Sequence, residues 1–555
     1  MLGTLLQKIT FRHAYTEPNI TVADEHNFHW NQETDLIVAG FGGAGAAAAL
    51  EARELGLDTI ALDRLSGGGA TTISGGILYA GGGTRIQKEA GVEDSPENMF
   101  RYLKHEVRGA VSDETLKRFC NDSVANFDWM ERHGVKFHAS PCPFKVSFPP
   151  DQYYFYYSGN EGFAPYTNDS TPAMRGHRGH IKSFSGPAIF EPLRESAKAK
   201  GVRIQTRSKV VSLLSNAEGR VIGVKALQLH GLAALLHLLF DKLHIALRNM
   251  ALFWPPLFAL FGILTELLEK GFGKTELIRA RKGVVLATGG FFCNQSMVQQ
   301  HAPHFVGGKP LGTLTDDGSG ISMATRLGAQ TLHMESVSAW RFINPPTSLV
   351  KGILVGPSGK RICNEMLNGA QLGDEIMRHH NGKGFVILDK RTRQAIPGDL
   401  TLKKAQWFHI MLGYFFIGFG CKKADTIEAL ALKLGMDPGE LQKTISEYNR
   451  TAASEDPDPL GKPKSYMPPL QEGPYYAVNA SFDYSFVPCP SLTLGGLAVN
   501  EATGEVLHQN GATIPGLYAA GRAAAGIPSR GYVSGLSIAD CIFSGRRAAR
   551  HAAGI

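Results

Sequence analysis

Three glycines and one acid set the first chemical question. In Asp35–Gly45, DLIVAGFGGAG, Gly40, Gly42 and Gly45 fall in the spacing G-x-G-x-x-G, and Asp63 closes a second apolar run, Thr59–Leu62. Gly40 permits a tight turn, Gly42 lets the backbone approach a pyrophosphate, and Gly45 lets a helix pack close to a strand. An acid about 20 residues past the motif is placed to hydrogen-bond a ribose hydroxyl. The chemistry implied is dinucleotide binding. A lone glycine motif is weak, but here apolar run, motif, helix, second run and acid come in order. The alternative is a βαβ turn with no ligand.

Several elements must position these residues. Leu36–Ala39 reads as a strand, and the Ala-rich AAAALEARELG as a helix whose N-terminus offers free N–H groups and a positive dipole end to phosphates. Residues 33–63 thus form a βαβ unit. The stretch LSGGGATTISGGILYAGGG (65–83) reads as a Gly/Ser/Thr loop almost free of charge. Ordering such a loop costs conformational entropy, so a flavin or pyrophosphate lying along it is expected. A second strand–glycine turn follows at Val284–Gly290. The chain ends with TLGGLAVN (493–500), GLYAAGR (516–522) and GYVSGLSIADCIFSGRRAA (531–549).

Length and composition bound the rest. With 555 residues, 43% hydrophobic and 19% charged, the chain can form two or more domains with real cores. Seven cysteines are scattered without a C-x-x-C or Cys/His ligand spacing, which argues against zinc or iron–sulfur centres and for reduced cytosolic thiols. No secretory signal is read at the start. A net charge of +7 without a dense Lys/Arg tract suits an anionic cofactor or membrane surface rather than nucleic acid.

Along the chain, residues 1–32 read as a polar leader, an arm over the body. Helix patterning covers 96–134, and an aromatic loop follows in which Tyr153, Tyr154, Tyr156 and Tyr157 cluster, lining a pocket or packing on the surface. Strands are expected at 202–206, 210–214, 221–227 and again from 281. Between them lies an insert, 229–278. Its leucines 232, 235, 236, 239, 243 and 247 recur in steps of three and four, with His237, Asp241, His244 and Arg248 on the other face. ALFWPPLFALFGIL (251–264) carries no charge, is short for a membrane span and is broken by Pro255–Pro256. The insert is expected to anchor at a membrane interface with Trp254 at headgroup level; the alternative is a buried hairpin in a dimer interface. Residues 331–477 read as a separate mixed domain with strands at 351–355 and 384–388 and helices around 425–452. A Pro-rich linker precedes the return to the first domain.

Taken together, DLIVAGFGGAG, Asp63, SGGGATTISGG, VVLATGGF, TLGGLAVN, LYAAGR and GLSIADCIFSGRRAA resemble the FAD-binding, fumarate reductase/succinate dehydrogenase-like flavoproteins. The resemblance implies an α/β fold: a Rossmann-like FAD-binding domain (33–330, then 478–555), an inserted α+β catalytic or capping domain (331–477), and the apolar helical insert as an extra. It implies FAD contacts at Gly40, Gly42, Gly43, Ala44, Gly45, Asp63, Arg64, Gly69, Ala70, Thr71, Ser74, Gly75, Gly76, Val211, Thr288, Gly289, Gly290, Gly521, Arg522, Gly535, Leu536 and Ser537. Covalently flavinylated members carry a His at the position aligned with Gly69, so the FAD is expected to be non-covalent. The Arg donor of fumarate reductases, four residues after the Glu of Arg361-Ile-Cys-Asn364-Glu365, falls on Gly369, and their His before the late glycines is also missing. C4-dicarboxylate chemistry is therefore not expected.

Within that superfamily the chain resembles most the 3-ketosteroid dehydrogenases of the Δ4-(5α) type, on SGGILYAGGGTRIQKEAGVEDSPENM and Gly531-Tyr532-Val533-Ser534-Gly535. The resemblance implies that Tyr532 and the Gly535 N–H hold a steroid C3 carbonyl, with Ser534 in the same catalytic turn. A family Tyr close after the N-E stretch has no counterpart in Met366-Leu367-Asn368-Gly369, so a Tyr of 153–157 takes over or the reaction differs. The chemistry is coherent: removing two hydrogens from a saturated carbon pair needs a hydride acceptor, which flavin supplies, and oxyanion donors that acidify the C–H beside a carbonyl. Tyr532 could instead be a packing residue. His177 reads as a loop hydrogen-bonder, and Trp340 and Arg341 as pocket or core. The expected partners are a steroid-like ketone, the inner face of the cell membrane through 229–278, and an unspecified electron acceptor. Rival readings are an ene-reductase on another hydrophobic acceptor, and an FAD electron-transfer subunit docked on a membrane partner.

Overall fold

The computed structural model describes residues 14–25, 27–253, 255–484 and 486–555. Positions 1–13 of the expected leader, and Trp254, lie outside that set. Among the described residues the largest sheet has nine strands. Its order runs Ile20–Val22, Ser208–Asn216, Val221–Gln228, Lys274–Leu286, Gln32–Ala39, Thr59–Asp63 and Arg203–Thr206; Thr513–Ala519 also pairs with Lys274–Leu286, and Glu505–Leu507 with Thr513–Ala519. The strands at 32–39, 59–63 and 203–206 are parallel, as βαβ connections require. Ile20–Val22 pairs in parallel with Leu214–Asn216. The end of the expected leader is therefore an edge strand, because its apolar alternation finds an unpaired neighbour.

Close approach at two glycines fixes the first βαβ unit. Gly40 has φ +97°, and a Cβ there would lie 2.4 Å from the Ala287 carbonyl oxygen. A Cβ on Gly45 would lie 1.9 Å from the Gly40 carbonyl oxygen. The helix Gly43–Glu54 can start where it does only because both side chains are missing. The following stretch is more ordered than its composition implies: it holds a short helix, Gly69–Ile73, and a strand, Ile77–Tyr79. That strand pairs with Gly176–Arg178, which also pairs with Phe155–Tyr156.

The insert is a helical hairpin, Gly231–Phe253 and Pro255–Phe272. It is carried at the tip of two antiparallel strands in which Lys274 sits opposite Gln228. The returning strand begins inside the range assigned to the insert, since Glu276, Leu277 and Ile278 already pair with Ala226, Lys225 and Val224. Among the described residues no helix is long and apolar enough to cross a membrane.

A second, four-stranded antiparallel sheet has the order Ile353–Val355, Phe385–Leu388, Tyr475–Asn479, Cys421–Ala424. Its faces are covered by apolar clusters that include residues of the helices Gly369–His379, Lys390–Asp399, Trp407–Gly418, Ile427–Leu434 and Pro438–Ala453. The C-terminal helix, Leu536–Ala552, returns to the first sheet and packs along Gly43–Glu54. Gly45→Ala places a methyl on backbone that has nowhere to go. It is expected to cost about 3 kcal/mol, the upper end of overpacking penalties, read as a lower urea midpoint at unchanged slope.

Candidate functional site

A single cavity of about 680 Å³ runs from the glycine turns to the helix Trp407–Gly418. Of the residues singled out from sequence, it is lined by Gly40, Gly42, Gly43, Ala44, Asp63, Arg64, Gly69, Ala70, Thr71, Ser74, Gly75, Gly76, Thr288, Gly289, Gly521, Arg522, Tyr532, Ser534, Gly535 and Ser537. Four lie behind its wall. Gly45 packs helix on strand. Gly290 donates its N–H to Asp316 at 3.3 Å, and Leu536 and Val211 are wholly buried.

One end of the cavity is polar. The Asp63 carboxylate accepts from the N–H groups of Phe41 (2.8 Å), Leu65 (2.8 Å) and Gly67 (3.2 Å). Burial raises its pKa against the pull of those bonds. A carboxylate has about four acceptor sites, so one is left for a ribose hydroxyl. Arg64 uses one donor of each nitrogen elsewhere: Nε and Nη2 meet Glu269 at 2.6 and 3.0 Å, and Nη1 meets Asp317 at 2.9 Å. Midway along, Arg522 Nη2 holds both oxygens of Asp316 at 2.9 and 2.8 Å. Its Nη1 and the Thr288 hydroxyl are buried with no protein partner among the described residues.

The other end is an apolar slot. Phe184 stacks on Phe408 at 4.7 Å, Phe148 lies beside them, and Trp340 meets Tyr532 edge-on at 5.3 Å. Its polar groups come mainly from the turn before the last helix. Tyr532 is half-buried on the slot, and burial pushes its phenol up to about 12, so it is a donor at neutral pH. Gly535, at φ +94°, is the cap of Leu536–Ala552, whose N-terminus favours negative charge. Ser534 Oγ lies 3.4 Å from the Tyr156 hydroxyl. Tyr156 is buried and its phenol is pushed well above its ordinary value by burial. The backbone of Ser534 is tied by Ser158, whose hydroxyl donates to its carbonyl at 3.0 Å.

Other residues weighed from sequence lie off the site. His177 is buried between Thr84 Oγ1 (3.0 Å) and the Arg175 carbonyl (2.9 Å), and burial lowers its pKa to about 4. Arg341 donates to the carbonyls of Val487 and Ser481 within the core, while Trp340 lines the cavity. Arg361 grips Glu365 with Nε and Nη2 beside buried Lys462, an ion cluster that braces the four-stranded sheet through Leu354. In Met366–Gly369, Asn368 caps the helix Gly369–His379 by accepting from Ala370 and Gln371. The sequence marks Phe148 and Tyr156 only as parts of an aromatic loop and does not mark Phe184, Phe342, Lys209, Asp316, Phe408 or His409. Nothing local marks them, because each reaches the cavity from a distant segment.

The profile of the FAD binding domain family matches residues 35–535. The chain is 34% identical over 508 residues to a 3-oxo-5-alpha-steroid 4-dehydrogenase of Comamonas testosteroni, covering 90% of this chain and 95% of that one. It superposes on the crystal structure of 3-ketosteroid-Δ4-(5α)-dehydrogenase from Rhodococcus jostii RHA1 in complex with 4-androstene-3,17-dione with a TM-score of 0.80. That match has 32% identity and covers 96% and 99% of the two chains. An open flavocytochrome c3 fumarate reductase, 24% identical with a TM-score of 0.60 over 95% of this chain and 79% of its own, shares the fold.

The cavity fits FAD. Side-chain-free walls at Gly40, Gly42 and Gly69 let backbone approach a pyrophosphate, Arg522 Nη1 and Thr288 Oγ1 have hydrogen-bonding capacity to spare, and Asp63 keeps one acceptor site. No His stands at Gly69 to bond it covalently.

His409 lines the cavity, and its Nδ1 is buried without a partner. Burial alone lowers its pKa to about 3. The unfolded chain therefore takes up a proton as pH falls through the ordinary value near 6.5, whereas the folded chain waits until about 3. His409 thus subtracts stability between those values and nothing above them. His409→Phe is expected to recover on the order of 2 kcal/mol of the stability lost between pH 7 and pH 5, measured by urea titration at both.

Proposed function

The chain belongs to the FAD binding domain family, and on that premise we propose that it is an FAD-dependent dehydrogenase of 3-ketosteroids acting at the C4–C5 bond. One observation carries this reading: the Tyr532–Gly535 turn supplies the polar end of an apolar, aromatic slot that opens from the glycine-lined cradle. A flat fused-ring ketone matches that slot, and the Comamonas and Rhodococcus proteins are named for this reaction. We divide the chain into an FAD-binding domain at 33–330 and 478–555 and a capping domain at 331–477.

When bound, FAD supplies the hydride acceptor. The protein does the remaining work. Tyr532 donates to the C3 carbonyl oxygen, and the Gly535 N–H at the helix start adds a second donor, so charge developing on that oxygen is stabilised and the neighbouring C–H acidified. Ser534 Oγ, steadied by the Tyr156 hydroxyl 3.4 Å away, receives the C4 proton as it hands its own to Tyr156, which passes its proton on to solvent, so that both hydroxyls end neutral. Tyr156 thus stands in for the Tyr that Met366–Gly369 does not provide. The Phe and Trp walls exclude water and set the ring plane.

The outer face of the insert supports association with the inner face of the cell membrane. Leu232 and Leu267 are 72% and 61% exposed, and Leu235, Leu239 and Phe272 are exposed beside them, an apolar patch of the kind that interfacial helices bury in lipid.

Tyr532→Phe is expected to lower turnover of a 5α-reduced 3-ketosteroid by about 10²–10³, the loss of one oxyanion donor, with FAD content unchanged. Ser534→Ala and Tyr156→Phe should each fall by about 10²–10⁴, the range of a lost proton-transfer group. If no 3-ketosteroid bleaches the flavin under anaerobic conditions, the steroid assignment fails. Purified protein should co-sediment with vesicles containing phosphatidylserine, and Leu235→Glu with Leu239→Glu should abolish this. Wild-type protein left in the supernatant would sink the membrane assignment.

A further inference from the structure

The insert presents its two faces in an order that an anchor alone does not explain. Leu232, Leu235, Leu236, Leu239 and Leu243 point outward, while His237, Asp241 and Glu269 are buried, the last only 2% exposed. These inward groups meet the polar end of the cavity. Glu269 takes the bidentate bond from Arg64 at 2.6 and 3.0 Å, and receives Lys209 Nζ at 3.2 Å and His237 Nε2 at 3.3 Å. Asp241 accepts the Ser66 N–H at 3.2 Å. Arg64 and Lys209 line the cavity beside Asp63.

We propose that the helical hairpin Gly231–Phe272 is a clamp on the adenosine half of FAD, working through Glu269 and Asp241. Arg64 directly follows the ribose-facing acid, and Ser66 sits in the turn that Asp63 organises through Leu65 and Gly67. The hairpin thus grips the loop against which the adenosine lies. Burial opposes charge on Glu269, yet Arg64 and Lys209 outweigh it and hold the carboxyl well below its ordinary range. The contact is therefore charged at every working pH. Without Glu269, buried Lys209 and Arg64, the latter still held by Asp317, would repel each other across this wall, opening the end of the cavity where the adenosine enters. Glu269 and Asp241 are positioning residues: they touch the loop and not the cofactor.

The position of the hairpin provides a clean test. Gln228 and Lys274 are cross-strand partners, so residues 229–273 can be replaced by Asn-Gly, the pair that closes a two-residue hairpin. This variant and Glu269→Gln should release FAD about 10–100-fold faster on dilution, followed by recovery of flavin fluorescence. In the wild type, added FAD should slow amide exchange within 231–272. Leu235→Glu with Leu239→Glu should leave FAD release unchanged, which separates the clamp from the membrane face. If the shortened chain fails to fold, Glu269→Gln and the exchange experiment decide. FAD release within threefold of wild type in a folded variant, or no exchange protection of the hairpin, overturns the proposal. Because the readout is FAD retention, failure of the steroid assignment would leave it untouched.

Discussion

The contact on which the site depends is between two helices with almost nothing between them. A Cβ on Gly545 would lie 2.4 Å from the Ala44 carbonyl oxygen, and one on Gly521 would lie 2.9 Å from the Ala44 Cβ. The last helix can therefore lie directly on the first, and Glu51 binds Arg546 at 2.7 Å and Arg550 at 2.6 Å along the seam. This closeness carries the 531–535 turn to the mouth of the glycine cradle. Gly531 has Glu106 backbone on its other side, 1.7 Å from where a Cβ would be, so the turn is wedged against a segment more than 400 residues before it. Close packing of this kind admits no intermediate positions.

The slot is built by the opposite means, from large groups rather than missing ones. Arg178 lies over the rings of Phe148 and Tyr154 at 4.8 and 4.9 Å and binds Asp151 at 2.7 Å. It is wholly buried; the same Nη2 also donates to the carbonyls of Ile181 and Ser183, Nε donates to Ser185 Oγ, and Nη1 to the carbonyls of Pro149, Pro150 and Tyr153. A charge this deep is tolerable only when its donors are satisfied. The arrangement turns an aromatic loop into a rigid wall and brings Tyr156, on the neighbouring strand, to Ser534.

What could be read from sequence follows from how far the relevant partner lies along the chain. Gly40, Gly42, Gly45 and Asp63 fall within one βαβ unit, and their spacing alone marks the cradle. Gly521 is legible as a return to the first sheet because it follows an apolar strand. Tyr156 and Ser534 are 378 residues apart, and Arg64 and Glu269 are 205 apart; no local pattern links either pair. The insert shows a different limit. Leucine periodicity reveals that a helix has two faces but not which one turns inward, and here the polar face does because charged partners wait for it. Ile20–Val22 was missed for a similar reason: three residues are too short to declare a strand until an edge is found beside them.

The slot is unequal at its two ends. Hydrogen-bonding groups gather at the Tyr532 turn, while Trp407 and Met411, at the far rim, line the cavity and are also 48% and 40% exposed. A bound molecule is thus identified by atom at its leading end and only by apolar bulk at its trailing end. Such a pocket discriminates sharply among head groups and tolerates tails of different length, with affinity climbing for each added carbon that reaches the rim.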